Sequence, residues 1–466
     1  MRLRNCHCFR LGIALAAALT TGVAGCRPQP SMPNVLLISI DSLRADRLGC
    51  YGQTRETSPA LDQLAADGVR FARAYSPTSW TLPSHVTLLS GLSQEQHQVL
   101  LVTDRARDGS LALPAALSEQ GFQTVGFYSG PFLHPTYGFA QGFDEYISCQ
   151  GKKTATLKGY PAWEQSHHDR TNNILLEKFE LWARERARKP FFAFVHLWDV
   201  HYDYIPPEPF ASMFDMDYAG ELNGRAIAGH GFPLDATTRD VEHLLALYDG
   251  EIRYTDATIA RILAALRRGQ LLDDTLVVVT ADHGDEFLDH GGKGHQHTLY
   301  DELVHAPLII WAPGRLPSGR VIETPVALED VVPTILDILD LPADREFDGR
   351  SLLPLIEDRD LPPRPVLSVL YHPITPQISS ASIRDDRRKV LYTQPGQRWV
   401  EFDLTTDPRE LHPSPNVDAE LQQRLASHLA AARQALVARQ RRAGHAAKRK
   451  LPKDIADQLR NLGYLK

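Results

Sequence analysis

Apolar and polar positions fall in alternating blocks along this chain. Val35-Leu36-Leu37-Ile38 is a continuous apolar run that ends at Ser39-Ile40-Asp41. Such a run predicts a strand buried on both faces, as in a parallel sheet. Ser58-Pro59 then opens a helix, with Ser58 as N-cap, Leu61, Leu64 and Ala65 on the apolar stripe and Gly68 as the stop. The alternation recurs. Helices are predicted over Leu113 to Gln120, Asn172 to Arg188, Val241 to Arg268 and Asp330 to Leu339. Strands are predicted over Phe122 to Tyr128, Phe191 to Val195, Thr275 to Thr280 and Ala306 to Trp311. Strands alternating with helices predict an α/β fold: a large, mainly parallel sheet flanked by helices.

After Pro362 the pattern changes. Pro365 to Tyr371, Ala381 to Tyr392 and Arg398 to Leu404 read as short strands with polar turns, a small C-terminal antiparallel subdomain. From Asp418 the chain reads as a helical tail, with a basic stretch from Arg439 to Lys450 read first as a solvated helix face. The expected organisation is a catalytic α/β unit over 34–361, a β subdomain over 362–417 and the tail over 418–466.

The first residues carry a different signal. Arg2, Arg4 and Arg10 precede an apolar stretch from Leu11 to Ala24, too short to span a bilayer but suited to a signal peptide over 1–25. Val23-Ala24-Gly25-Cys26 resembles the bacterial lipobox, which implies lipidation of Cys26. Residues 26–33 are Pro-rich and read as a tether. The expected location is the cell envelope, lipid-anchored, on the periplasmic side of the outer membrane in a Gram-negative cell. By the same resemblance, Arg27 argues against retention at the inner membrane. Of five cysteines, Cys50 and Cys149 remain for the folded part, as a bridge or as two buried thiols.

Composition excludes some classes. The 466 residues are 43% hydrophobic and 23% charged, which is neither disordered nor collagenous. Lys+Arg 50 against Asp+Glu 57 gives a net charge of −7. No global basic field exists for nucleic acid, so none is expected as a partner.

Open α/β sheets gather ligands beyond the carboxyl ends of their strands. The first predicted strand ends at Asp41, and the strand from Thr275 ends at Asp282-His283-Gly284. The strand from Phe191 leads to His196, Asp199 and His201. Thr81-Leu82-Pro83-Ser84-His85 lies between, with Pro83 and Ser84 reading as a helix start. Asp41 with Asp282 and His283 is an oxygen and imidazole set suited to a divalent cation, Ca, Mg, Mn or Zn. A second metal would draw on His196, Asp199, His201, His295 or His297.

These motifs resemble the sulfatase family of the alkaline phosphatase superfamily. The matching residues are Asn34 to Asp46, Leu48 to Gly52, Pro83-Ser84 with Leu88 to Gly91, and Gly142 to Tyr146. Tyr248 to Ile252, Thr280 to Gly284, Leu299 to Glu302 and Leu462-Gly463-Tyr464 complete the set. The resemblance implies Asp41, Asp282 and His283 as ligands of one divalent metal. Ser42 stands where many sulfatases have a second Asp. His201 matches a His that contacts the substrate anion; His295 lies near the family's basic residue before Tyr300, with Gln296 and His297 blurring that alignment, and His201, His295 and His297 are the expected substrate contacts.

Thr81 stands where sulfatases have the Cys or Ser oxidised to formylglycine, and His85 replaces the Arg that closes that motif. Thr would oxidise to a ketone, so no formylglycine is expected. Ser129 and Pro131 replace a Lys and a His of a second family signature. Other branches of the superfamily use a Thr nucleophile. The expected enzyme is a metal-dependent hydrolase of sulfate or phosphate mono- or diesters. Thr81 is its nucleophile and a metal contact, with His85 beside it and His201 and His295 in catalysis. The substrate is a small-molecule, glycan or lipid ester. A phospho-group transferase acting on envelope lipid or glycan, and a non-catalytic anion-binding lipoprotein, are the alternatives. Trp163, Trp198 and Tyr204 are candidate pocket aromatics; His290 and Lys293 lie in a Gly-rich loop near the site. Arg44, Asp46 and Arg47 are read as pins of the loop after the first strand.

Overall fold

Strand β1 (Asn34–Ile40) is apolar on both faces because it occupies the middle of a sheet, and every one of its residues is buried. In the computed structural model, which describes residues 33–151, 171–224, 236–443, 451–461 and 464–465, that sheet has nine strands. The signal peptide, Cys26, Trp163 and residues 444–450 of the basic stretch lie outside the described residues.

The other principal strands are β2 (Val69–Tyr75), β3 (Gln123–Tyr128), β4 (Glu145–Ser148), β5 (Phe191–Leu197) and β6 (Thr275–Ala281). Across the sheet the order is Arg320–Ile322, β2, His305–Trp311, β6, β1, β5, β3, β4. β1 pairs in parallel with both β5 and β6, and β3 in parallel with β5 and β4. His305–Trp311, predicted as one more strand of the mainly parallel sheet, runs antiparallel to β2 and β6. The architecture is therefore α/β and mainly parallel, as the alternation of elements predicts.

Two helices place the site. Helix α1 (Pro59–Asp67) starts where the sequence predicts, but Ser58 does not cap it. The amides of Ala60 and Leu61 donate instead to the carboxylate of Asp256, on the long helix Thr238–Arg268. Ser58 Oγ is engaged by Gly49 N–H and Asp62. Helix α2 spans Thr81–Ser90, two residues earlier than Pro83 suggests. The first turn of a helix has no intrahelical acceptors for its N–H groups, so a proline at the third position is tolerated there.

A four-stranded antiparallel sheet follows, formed by Val366–Tyr371, Ile378–Arg384, Arg388–Thr393 and Arg398–Asp403 in sequence order. The single strand expected over Ala381 to Tyr392 is thus a hairpin. Its turn is closed by Asp385 Oδ1, which accepts from Arg387 and Arg388 N–H at 2.8 Å each. The helix Ala419–Ala443 lays Leu421, Leu425, Leu429 and Leu436 on this sheet against Val369, Ala381, Val390 and Tyr392. The small sheet meets the large one just before α2: Ser368 Oγ donates to Ser76 O at 2.6 Å, and Val369 N to Pro77 O at 2.8 Å. Cys50 and Cys149 are free thiols. Among the described residues, no helix is long and apolar enough to cross a membrane.

Candidate active site

Parallel pairing of β1 with β6 matches Ile40 to Ala281, so the next residues, Asp41 and Asp282, leave the sheet side by side. With His283 they form a fully buried cluster whose ligating atoms lie within 4.8 Å of one another. Helix α2 points its first residue at this cluster, with Thr81 Oγ1 at 3.3 Å from His283 Nε2. The positive end of the helix dipole faces the same place and favours negative charge there.

Backbone and side chains orient each group. Ser42 takes a positive φ of 57°, an uncommon conformation for a residue with a Cβ. That turn aims its amide at Asp282 Oδ1, 3.0 Å away, while its hydroxyl donates to Asp41 Oδ1 at 3.1 Å. Tyr248, from the long helix, locks the turn by donating to Ser42 O at 2.7 Å. His283 Nδ1–H donates to Gly284 O at 2.9 Å, so Nε2 presents a lone pair to the cluster.

Electrostatics set these residues apart from ordinary strand-end acids. Burial pushes the Asp41 carboxyl up to about 7, and His283 and the Ser42 hydroxyl only partly offset it. Asp282 is raised by burial and then by Asp41. Burial depresses His283, but Asp282 and Asp41 more than reverse this, so its net shift is upward. Asp282 Oδ2 is buried without a hydrogen-bond partner among the described residues. Two carboxylates short of counter-charge, an imidazole lone pair and a hydroxyl form a donor set that fits a divalent cation.

A second group of side chains adjoins the cluster. The His295 ring lies 4.5 Å from that of His283. Its Nδ1–H donates to Asp285 Oδ1 at 2.6 Å, and its Nε2 accepts from the Tyr464 hydroxyl at 2.7 Å. His201 donates from Nδ1 to Tyr202 O at 2.8 Å, with its Nε2 at 3.3 Å from the same Tyr464 oxygen. Trp198 stacks on His201 at 4.1 Å between ring centres. Burial, followed by the neighbouring His283, pushes His295 well below its ordinary value. Burial likewise pushes Asp285 up to about 7.

Asp41, Thr81, His201, Asp282, His283 and His295 therefore come together. His85 lies beside Thr81, as expected, but both its nitrogens are taken up by partners outside the cluster, and His297, expected at the substrate, does not join the group. His85 is buried with Nδ1 at 2.9 Å from Thr81 O and Nε2 at 2.9 Å from Ser39 Oγ. Nδ1 is spent within α2 and Nε2 ties the helix to β1, and burial holds the ring neutral with a pKa of about 4. His297 turns away to bind Glu286 Oε2 at 2.6 Å. The second-metal set does not converge either. Asp199 caps the helix Thr171–Glu185 through the amides of Thr171 and Asn172, while His196 Nε2 lies 3.1 Å from Asp41 Oδ2.

The weaker candidates have structural partners. Tyr204 donates to Asp285 Oδ2 at 2.8 Å, behind the site. His290 binds Glu302 at 2.7 Å and stacks on Tyr300, and Lys293 lies in a two-stranded ribbon with Phe287. Arg44 binds Asp46 and Asp289, and Arg47 binds Asp249, so these residues do pin the loop after β1. Sequence reasoning missed Asp285, which follows the Asp282-His283-Gly284 motif directly. It also gave no role to Tyr464, whose recurring Leu-Gly-Tyr motif was the available signal.

Strand-end acids and imidazoles gathered on this sheet define an α/β fold of the alkaline phosphatase superfamily. The sulfatase family profile matches residues 33–341, and the chain belongs to the sulfatase family. A second profile, the C-terminal region of N-sulphoglucosamine sulphohydrolase, matches residues 291–435. An arylsulfatase of Clostridium perfringens is 25% identical over 436 residues, covering 81% of this chain and 89% of that protein. Human arylsulfatase A is 27% identical, covering 85% and 80% respectively. Among solved structures, the phosphonate monoester hydrolase of Agrobacterium radiobacter superposes with a TM-score of 0.70 at 24% identity, covering 87% of this chain and 96% of that one. The phosphonate monoester hydrolase from Silicibacter pomeroyi gives 0.65 at 25% identity, covering 88% and 95%.

Proposed function

We propose that this protein is a metal-dependent hydrolase of sulfate or phosphate-type esters that uses Thr81 itself as nucleophile. The observation that carries this reading is the Thr81 hydroxyl at the head of α2, 3.3 Å from His283 in the Asp41–Asp282–His283 cluster. Asp41, Asp282, His283 and Thr81 would hold one divalent cation. Such an ion lowers the pKa of a coordinated hydroxyl and neutralises charge on the transferring group.

The chain's own groups account for the rest. As Thr81 Oγ1 bonds to the central phosphorus or sulfur, its proton passes to an Nε2 lone pair of the His201–His295 pair, and the bond from the central atom to the ester oxygen breaks. The departing oxygen takes that same proton from the imidazole. Water then attacks the same central atom and the bond to Thr81 Oγ1 breaks; one proton of the water reaches Thr81 Oγ1 by way of the imidazole, and its hydroxyl stays on the released acid. Attack at the central atom is the only release open to a threonine ester. A hydrated aldehyde could expel its ester by elimination; Thr81 cannot. This favours phosphorus, and the likeness to phosphonate monoester hydrolases points the same way.

We further propose export and lipid anchoring at Cys26, which mass spectrometry of the envelope-extracted protein would test. The catalytic reading is tested with residues 27–466 loaded with Zn²⁺, Mn²⁺, Mg²⁺ or Ca²⁺. Aryl sulfate, phosphate monoester, phosphodiester and phosphonate monoester are compared, with Thr81→Ala as control. Turnover of a phosphorus ester that disappears in Thr81→Ala is the expected result. Turnover that survives in that variant would sink the mechanism. A folded, metal-loaded protein with no turnover on any ester would favour the transferase or binding reading.

A further inference from the structure

We propose that Tyr464 belongs to the substrate site, where its phenol O–H is the hydrogen donor that meets a non-bridging oxygen of the bound ester. This rests on the catalytic reading above and adds a residue to it. The argument begins with tautomers. Asp285 holds the proton of His295 on Nδ1, and the Tyr202 carbonyl holds that of His201 on Nδ1. Both rings therefore turn an Nε2 lone pair toward the same point, and a lone pair repels an anionic oxygen. The Tyr464 oxygen occupies that point, 2.7 Å from one Nε2 and 3.3 Å from the other. Tyr202 adds its own O–H to Tyr464 at 3.3 Å. The Tyr202 hydrogen goes to Tyr464, and the single Tyr464 hydrogen rests on His295 Nε2; when the anion binds, that hydrogen turns to the ester oxygen, which the neutral imidazoles cannot meet.

Tyr464 keeps its proton. Burial raises the phenol well above its ordinary value, and Tyr202, Asp41 and Asp285 raise it further. The residue is also delivered independently of the sheet that carries every other site group. It follows the short helix Lys453–Asn461, whose buried side chains include Ile455 and Leu459. Tyr464 N–H and Leu465 N–H both donate to Leu459 O, which turns the chain back to the site. The Tyr464 ring packs edge-on against Phe132, 4.8 Å between centres. A residue placed only to fill space would not need its hydroxyl set among three polar groups.

Tyr464→Phe removes only that hydroxyl. In the metal-loaded full chain we expect kcat/KM to fall about 10- to 100-fold, the range for one hydrogen bond to a charged group, with most of the loss in KM. The thermal midpoint should stay within a degree or two of wild type. Affinity for orthovanadate, read by calorimetry without turnover, should fall by a similar factor. Leu459→Asp, which undocks the helix, should match or exceed that loss while circular dichroism stays unchanged. Wild-type kcat/KM and vanadate affinity in Tyr464→Phe would overturn the proposal. So would tighter vanadate binding, which would make Tyr464 a plug that the anion displaces. If wild type turns over no ester but binds vanadate, the catalytic reading fails and the binding arm alone decides about Tyr464. A wild type that does neither removes both.

Discussion

Ser42 N–H donates to Asp282 Oδ1 at 3.0 Å, and His283 N–H donates to the same oxygen at 2.9 Å, while Asp282 Oδ2 is buried with no hydrogen-bond partner among the described residues. The two oxygens of one carboxylate are thereby divided between tasks. One is fixed by the backbone of both neighbouring strand ends, and the other lies 3.3 Å from His283 Nε2 and 3.5 Å from His85 Nδ1. A buried, unpaired carboxylate oxygen is costly unless something meets it.

Asp282→Asn tests that division. The amide keeps an acceptor for the two backbone N–H groups but removes the charge that a cation needs. The fold should survive, metal content by elemental analysis should collapse, and kcat/KM should fall about a hundredfold or more. Full metal occupancy in this variant would place the ion elsewhere.

Metal and pH should be linked. The Asp41 carboxyl is raised from 3.8 to about 7 in the metal-free fold, chiefly by burial, and Asp285 behaves alike. A raised acid holds its proton more tightly when folded, so its contribution is fully present below pH 3.8 and is lost as pH rises through about 7. A bound cation keeps Asp41 ionised and removes that loss. The gap in thermal midpoint between metal-loaded and chelator-treated protein should therefore widen from about pH 5 to about pH 8. A constant gap would show that Asp41 gives up no proton on binding.

Asp256 offers a test of the fold away from the chemistry. It caps α1 from another helix, accepting from Ala60 N–H at 3.0 Å and Leu61 N–H at 2.9 Å. Burial pushes it up to about 6. Asp256→Ala should cost about 1–2 kcal/mol, as loss of an N-cap does, with kcat/KM unchanged. Asp256→Asn keeps the acceptor and should cost less. Equal losses in urea unfolding would mean that the charge, not the acceptor, holds α1.

Lys389 joins the two sheets. Its side chain is fully buried, with Nζ at 2.8 Å from Asp301 and 2.7 Å from Glu410, and Arg384 also binds Asp301 at 2.7 Å. Lys389→Met should destabilise the protein by about 3–5 kcal/mol, because it strands buried carboxylates. Lys389→Met with Glu410→Gln should recover part of this. Additive losses in the double variant would show that the two groups do not interact.

Local pattern carried the fold class. The run Val35–Ile38, the alternation of helices with strands and the acids placed just after strands are all properties of neighbours in sequence. They are enough to assign Asp41, Thr81, Asp282 and His283 to one sheet edge, and β1–β6 pairing brings them together there. Local pattern did not reveal β2 or β4, whose half-polar residues dilute the apolar signal. Nor could it show that His305–Trp311 runs antiparallel, because direction is a property of the pairing and not of the strand.

The fates of the histidines were decided by the conformation and packing of the folded chain, not by their pattern in sequence. His85, His201, His295 and His297 look alike as candidates in sequence. Ser39 and the Thr81 carbonyl use up His85, Glu286 draws His297 away, and Asp285 and Tyr202 set the tautomers of His295 and His201. The same holds for Tyr464, which meets His201 across 263 positions of chain. An imidazole's chemistry depends on what touches each of its two nitrogens, and here one nitrogen of His85 and of His201 is set by a near neighbour in sequence while the other meets Ser39 or Tyr464, which only the fold brings close.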